Sequence, residues 1–193
     1  MSLLRSFKQF LLRPSSRFSV LALLFVGLLA GVFSVVAFDA TMHATSTEAF
    51  CISCHEMEDN AGMMLVGTTH FENKSGVRPT CSDCHLPREF VPKMIRKVEA
   101  AREVWGSITG VIDTPEKYAA HAPVMKAREI ARLRANDSQE CRNCHDVEKM
   151  LWSAQTAKAQ QYHRQGNEEG KTCVDCHAGL THTPAAQQAA AEL

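Results

Sequence analysis

Residues 51–55 read CISCH, 81–85 CSDCH, 141–145 CRNCH and 173–177 CVDCH. C-x-x-C-H is the arrangement that attaches a c-type haem. Its two thiols take up the vinyl groups, and the adjacent imidazole stands where it ligates the iron from one side. Cys51, Cys54, Cys81, Cys84, Cys141, Cys144, Cys173 and Cys176 are all 8 cysteines of the chain, so none is left over. A disulfide framework would explain neither the fixed gap nor the histidine after every second cysteine. Four-thiolate zinc sites would leave the same histidines without a reason. Four covalently bound haem c groups are therefore expected, and with them an electron carrier.

Length and charge narrow this further. The chain has 193 residues and a formal net charge of zero, which gives no reason to expect a nucleic-acid partner. About 39 residues per haem follow the apolar segment described next, too few for a conventional core. The haems must form most of the interior, and the domain should not fold properly without them. The expected fold class is mainly α. It comprises a single N-terminal transmembrane helix and a small multihaem domain of short helices and loops wrapped around four haems.

Residues 18–38 (FSVLALLFVGLLAGVFSVVAF) carry no charge. At about 1.5 Å per residue they span a hydrocarbon core of about 30 Å. Arg5, Lys8, Arg13 and Arg17 precede them without an acid. By the positive-inside rule, 1–17 is cytoplasmic and 39–183 lies outside. A cleaved signal peptide has a shorter apolar region, about 7–15 residues, which favours an uncleaved anchor, although small residues near Ala37 and Ala40 leave room for cleavage. Gly27 and Gly31 form a small-x-x-x-small step and leave a homodimer open. Thioether attachment also belongs to an exported compartment. Both signals describe a single-pass inner-membrane protein with a periplasmic haem domain.

The pentads are spaced by 30, 60 and 32 residues. His70 falls between the first two and His163 between the last two, so each half reads pentad, lone histidine, pentad. This divides the domain into dihaem halves at about 45–90 and 136–183, a helical insert at 91–135 and a tail at 184–193. Pro92 opens a helical pattern with Met94, Ile95, Val98, Ala101 and Trp105 on one face. Thr114-Pro115-Glu116 starts a second helix, which Pro123 should end or kink.

Beyond the pentad histidines His55, His85, His145 and His177, the irons need further axial ligands. His70 and His163 are expected from the repeat, and His182 from its place five residues after His177. His121 in the insert and His43 near the membrane are weaker candidates. The first pentad continues Glu56-Met57, and Met57 either ligates the first iron or packs on the porphyrin.

The runs EAFCISCHEM, GVRPTCSDCH, VPKMIRK, GVIDTPEKY, NDSQECRNCH and EGKTCVDCH, with the basic N-terminus and single anchor, resemble the NapC/NirT family of membrane-anchored tetrahaem cytochromes c. The resemblance covers nearly the whole chain, and several runs resemble in particular the NapC branch, which serves periplasmic nitrate reductase. It implies oxidation of membrane quinol, menaquinol or ubiquinol. It also implies transfer of the electrons to a periplasmic reductase or its dihaem cytochrome subunit. It implies that Met57 is an axial ligand, which leaves the role of His55 open, and that His70, His163 and His182 serve the other three irons. Relatives often carry a histidine where this chain has Arg88, so that position is not an obligatory ligand or His121 substitutes for it.

The resemblance further implies a basic residue and a carboxylate seven apart near the first haem. Arg96 and Glu103 share a helix face at that spacing, with Lys93 one turn earlier and Lys97 one position round. The cation would donate to quinone oxygen and Glu103 would accept a proton. The bland alternative is a solvated face with Arg96–Glu99 and Glu99–Arg102 pairs. Other expected roles are electron donation to a nitrite or trimethylamine-oxide reductase. Less expected is a catalytic multihaem reductase, for which only the first iron could be open, or a sensor, for which no signalling domain follows.

Overall fold

The computed structural model describes residues 5–6 and 17–182. Most of the basic segment 1–17 and the tail 184–193 lie outside the described residues. The chain divides into two units, Met1–Ala44 and Thr45–Leu193. In the first, helix α1 (Val20–Ala44) starts two residues after Phe18 and runs past Phe38 to Ala44. Its apolar side chains face outward on all sides, Leu21 and Phe33 among them. It is a helix long and apolar enough to cross a membrane.

The second unit is helical, with no strand among the described residues. Its helices are α2 (Glu48–Cys51), α3 (Met63–Leu65), α4 (Cys81–His85), α5 (Phe90–Ile108), α6 (Pro115–Ala135), α7 (Gln139–Arg142), α8 (Ala157–Glu168) and α9 (Cys173–His177). A π-helical turn, Met57–Gly62, follows the first pentad.

The two long helices are α5 and α6, both in the insert. Thr114 caps α6 by accepting from the Lys117 N–H, and Pro115 sits at the first helical position, where its missing N–H is harmless. The helix runs through Pro123 to Ala135 and does not end there, although proline removes one i→i−4 bond. Asp137 and Ser138 then take left-handed φ of 55° and 51°, and this reversal turns the chain into the third pentad.

Local structure alternates between pentads. The second and fourth form complete short helices, α4 and α9. Each has a capping box, Thr80 with Asp83 and Thr172 with Asp175. The first and third lack an aspartate at that position and straddle the end of a helix instead, α2 and α7.

Apolar burial is slight. Ile112 and Val174 are the buried hydrophobic side chains among the described residues, while Glu56, Thr68, Ser138 and Glu140 are the buried polar ones. The polypeptide supplies very little apolar core of its own.

Candidate haem centres

The pentads form a continuous series. Helix α2, which ends on Cys51, packs on α4, which opens on Cys81, joining the first to the second. Helix α4 packs on α7, joining the second to the third. The Val174 N–H donates to Ser138 Oγ at 3.4 Å, joining the entrance of the third to the fourth. None of the eight cysteines is in a disulfide. Among the described residues no three His, Cys, Asp or Glu gather as a metal cage, so the zinc alternative finds no geometry. Burial pushes the Cys84 thiol up to about 11.

The distal histidines meet pentad histidines. Ring centroids are 6.2 Å apart for His70 and His145, 5.9 Å for His85 and His182, and 6.1 Å for His163 and His177. Imidazole nitrogens bind first-row metals at about 2.0–2.1 Å, so two rings on opposite sides of one iron have centroids about 6 Å apart. The three pairs match that separation. The pairing crosses the halves. His163 meets a pentad of its own half, whereas His70 reaches the second half and His182 returns to the first.

Hydrogen bonds set the tautomers. His85 Nδ1 is 2.9 Å from Glu129 Oε1, His182 Nδ1 is 2.9 Å from the Ala61 carbonyl, and His163 Nδ1 is 2.8 Å from Gln155 Oε1. Each partner oxygen is an acceptor, so each Nδ1 carries the proton and Nε2 is left as the metal-binding atom. His70 Nδ1 is buried without a partner. His182 takes a left-handed φ of 53° to reach its place.

Glu129 belongs to a half-buried network, closed at its far end by the buried Glu140, that the sequence did not announce. Arg132 donates through Nη2 to Glu129 Oε1 at 2.7 Å, through Nη1 to Glu140 Oε1 at 2.5 Å, and to the Cys84 carbonyl at 3.3 Å. Arg96 Nη2 lies 3.5 Å from Glu129 Oε2. Asn136 donates to Glu140 Oε2 at 2.8 Å. Burial alone would raise the Glu129 carboxyl, but hydrogen bonds from His85 and Arg132 outweigh it and hold the group well below the usual carboxylate range. One sign was available in the sequence. Glu129, Arg132, Asn136 and Glu140 recur at spacings of three and four along the end of α6 and into α7.

The first pentad is different. The His55 side chain is 66% exposed, and its nearest charge is the adjoining Glu56 at 3.3 Å. Among the described residues no histidine ring pairs with it as in the other three. Met57, also exposed, begins the π-helical turn. Glu56 between them is buried and accepts a short hydrogen bond from the Ser107 hydroxyl, which tethers this pentad to the end of α5. That bond is the main reason the Glu56 carboxyl titrates below its ordinary value. Sequence reasoning passed over Glu56 and Ser107.

The four quinol-site candidates on α5, Lys93, Arg96, Lys97 and Glu103, separate into three environments. Arg96 and Glu103 do share a face, and it is the face toward α6. Arg96 pairs with Glu129, and Glu103 Oε1 accepts from Arg128 at 3.1 Å. These are cross-helix pairs rather than the i,i+3 pairs within α5. Arg96 Nε and Glu103 Oε2 are buried without hydrogen-bond partners. Lys97 Nζ donates to the Thr45 carbonyl at 2.9 Å and its hydroxyl at 2.8 Å, and burial lowers its pKa. Lys93 lines a shallow groove with Ser82, Asp83 and Arg88. His121 is half-buried on α6 and Arg88 stands beside the second pentad; neither is paired with a pentad histidine.

The donors present fit haem c. Paired free cysteines open short helices in the second and fourth pentads and straddle helix ends in the first and third, three imidazole pairs stand about 6 Å apart, and little apolar core competes for the interior. Comparison with known proteins agrees. Residues 13–187 match the family described as NapC/NirT cytochrome c family, N-terminal region. The denitrification system component NirT of Stutzerimonas stutzeri is 48% identical over 88% of this chain and 85% of its own length. Cytochrome c-type protein NapC of Escherichia coli K12 is 47% identical over the same shares. NapC of Haemophilus influenzae is 42% identical over 94% of this chain and 89% of its own length. No solved structure matches. Pentads, anchor-length helix and sequence likeness together make this chain a member of the NapC/NirT family of c-type cytochromes, electron-transfer proteins with covalently bound haem.

Proposed function

We propose that the chain is a membrane-anchored quinol dehydrogenase that passes electrons through four c-type haems to a periplasmic reductase. One contrast carries this reading. Three pentads have a second imidazole at an axial separation, while the first has none and is followed by Met57. His85 with His182, His145 with His70, and His177 with His163 are read as axial pairs. Met57 is read as the ligand at the first site, and the eight cysteines as the thioether attachments. Each bound haem supplies a one-electron Fe(III)/Fe(II) couple.

The protein's own residues do the rest. Helix α1 holds the chain at the membrane, with its basic N-terminal side in the cytoplasm. Cys51 follows α1 closely in sequence, so the first pentad is the natural entry for electrons from a lipid-soluble donor. A quinol gives up two electrons and two protons. Glu103 accepts a proton at Oε2, the oxygen without a partner, while Arg128 holds Oε1. Arg96 donates from Nε to the quinone oxygen, with Lys93 and Lys97 adding positive charge along the same helix. With His85 and His182, His145 and His70, and His177 and His163 holding three of the haems, no position would be left there for substrate, which favours a relay over a catalytic reductase. Relatives named NapC and a denitrification component favour a nitrate reductase, or its dihaem cytochrome subunit, as acceptor.

The test is the detergent-solubilised full-length holoprotein with a quinol as donor. Glu103→Gln is expected to slow quinol-driven reduction by about 10²-fold, a general-base effect. Haem content and full reduction by dithionite should be unchanged. Unaltered quinol turnover would remove Glu103 from the mechanism. A wild-type protein that dithionite reduces and quinols do not would reject the proposal.

A further inference from the structure

The three imidazole pairs are alike in ring separation and unlike in what holds the outer nitrogen. His163 and His182 each face a neutral oxygen, an amide and a backbone carbonyl. His70 Nδ1 is buried with none. His85 alone faces a carboxylate, Glu129 Oε1 at 2.9 Å. That carboxylate is fixed from two sides by groups that never lose their charge, Arg132 at 2.7 Å and Arg96 at 3.5 Å.

An ionised acceptor makes the stronger hydrogen bond. It draws the Nδ1 proton outward, makes the imidazole a more basic ligand, and so stabilises the oxidised iron over the reduced one. Neutral acceptors do this less, and an absent acceptor not at all.

From these contacts we infer that Glu129 is a positioning residue that makes the centre ligated by His85 the lowest in potential of the three imidazole-paired centres. The inference rests on the axial pairing proposed above. Arg132 also ties Glu129 to Glu140, the residue before Cys141, and to the Cys84 carbonyl. The tuning carboxylate therefore stands between the second and third pentads. An electron passing along the series meets its least favourable step there, and the helical insert, which carries no haem motif of its own, sets the height of that step. The two arginines share the carboxylate's charge and work against the effect. They do not cancel it, because Oε1 stays within hydrogen-bonding distance of His85.

The experiment is potentiometric titration of the full-length holoprotein, with low-spin EPR of the oxidised form. Glu129→Gln keeps the shape and an acceptor oxygen but removes the charge. The lowest midpoint should rise by about tenfold in the one-electron equilibrium, 59 mV, with one EPR species altered and all four haems retained. The converse variant, Gln155→Glu, places a carboxylate on His163 and should lower one midpoint by a similar factor. It decides the matter if Glu129→Gln fails to assemble. Unshifted midpoints in an assembled Glu129→Gln, or in Gln155→Glu, would overturn the inference. Failure of the axial pairing looks different: His182→Ala would then leave every haem low-spin.

Discussion

The first and second pentads are neighbours through the contact of α2 with α4, and their histidines live in different surroundings. His55 is largely exposed, touches the carboxylate next to it in sequence, and is followed by an exposed methionine. His85 is held by Glu129, faces His182, and borders a network that includes two arginines and a second buried carboxylate. The same five-residue motif thus gives one centre whose histidine is largely exposed and one whose histidine is partly enclosed by partners from distant segments. The pentad fixes attachment. What comes from elsewhere in the chain decides how each pentad histidine is held.

The largest expected effect falls on the enclosed centre. His182→Ala removes the ring opposite His85, and one haem of four should turn high-spin in the optical and EPR spectra. Four low-spin haems would break the contrast. Met57→Ala tests the open centre. Quinol-driven reduction should fall tenfold or more, on the scale of losing a ligand or its support, with dithionite reduction complete. Loss of a second haem signal would show that Met57 does not act at the first site alone.

Stability separates the two surroundings as well. Arg132→Met leaves Glu129 and Glu140 without their shared partner and should destabilise the domain by about 3–5 kcal/mol. Arg134→Met breaks a more exposed pair with Asp175 and should cost about 0–1 kcal/mol. Thermal unfolding of both holoproteins checks the difference, and equal losses would mean that the buried network is not special. The smallest effects concern the capping boxes. Thr80→Ala and Thr172→Ala should each lose about 1 kcal/mol, read as matched shifts of the same transition.

Much of this was legible in the residues. The pentads and the anchor-length helix follow from spacing and composition, because covalent attachment and membrane crossing each demand a local pattern, and spacing also singled out His70, His163 and His182 as candidates. Two things were not legible for the same reason: they depend on contacts between distant segments. The repeat singled out His70 without saying which pentad it faces, and its ring meets His145 across the insert. Arg96 and Glu103 were expected on one face, and they are, but α6 covers that face and supplies Glu129 and Arg128 as partners. Pro123 carried a helix-ending signal that the run of good helix formers on both sides overrode.

The account stands most directly on the ligands of the four irons. Low-temperature EPR and near-infrared magnetic circular dichroism of the oxidised full-length holoprotein measure them together. Three bis-imidazole centres and one carrying a methionine thioether are the predicted result. Four equivalent bis-imidazole centres, or a methionine signal that survives Met57→Ala, would contradict it.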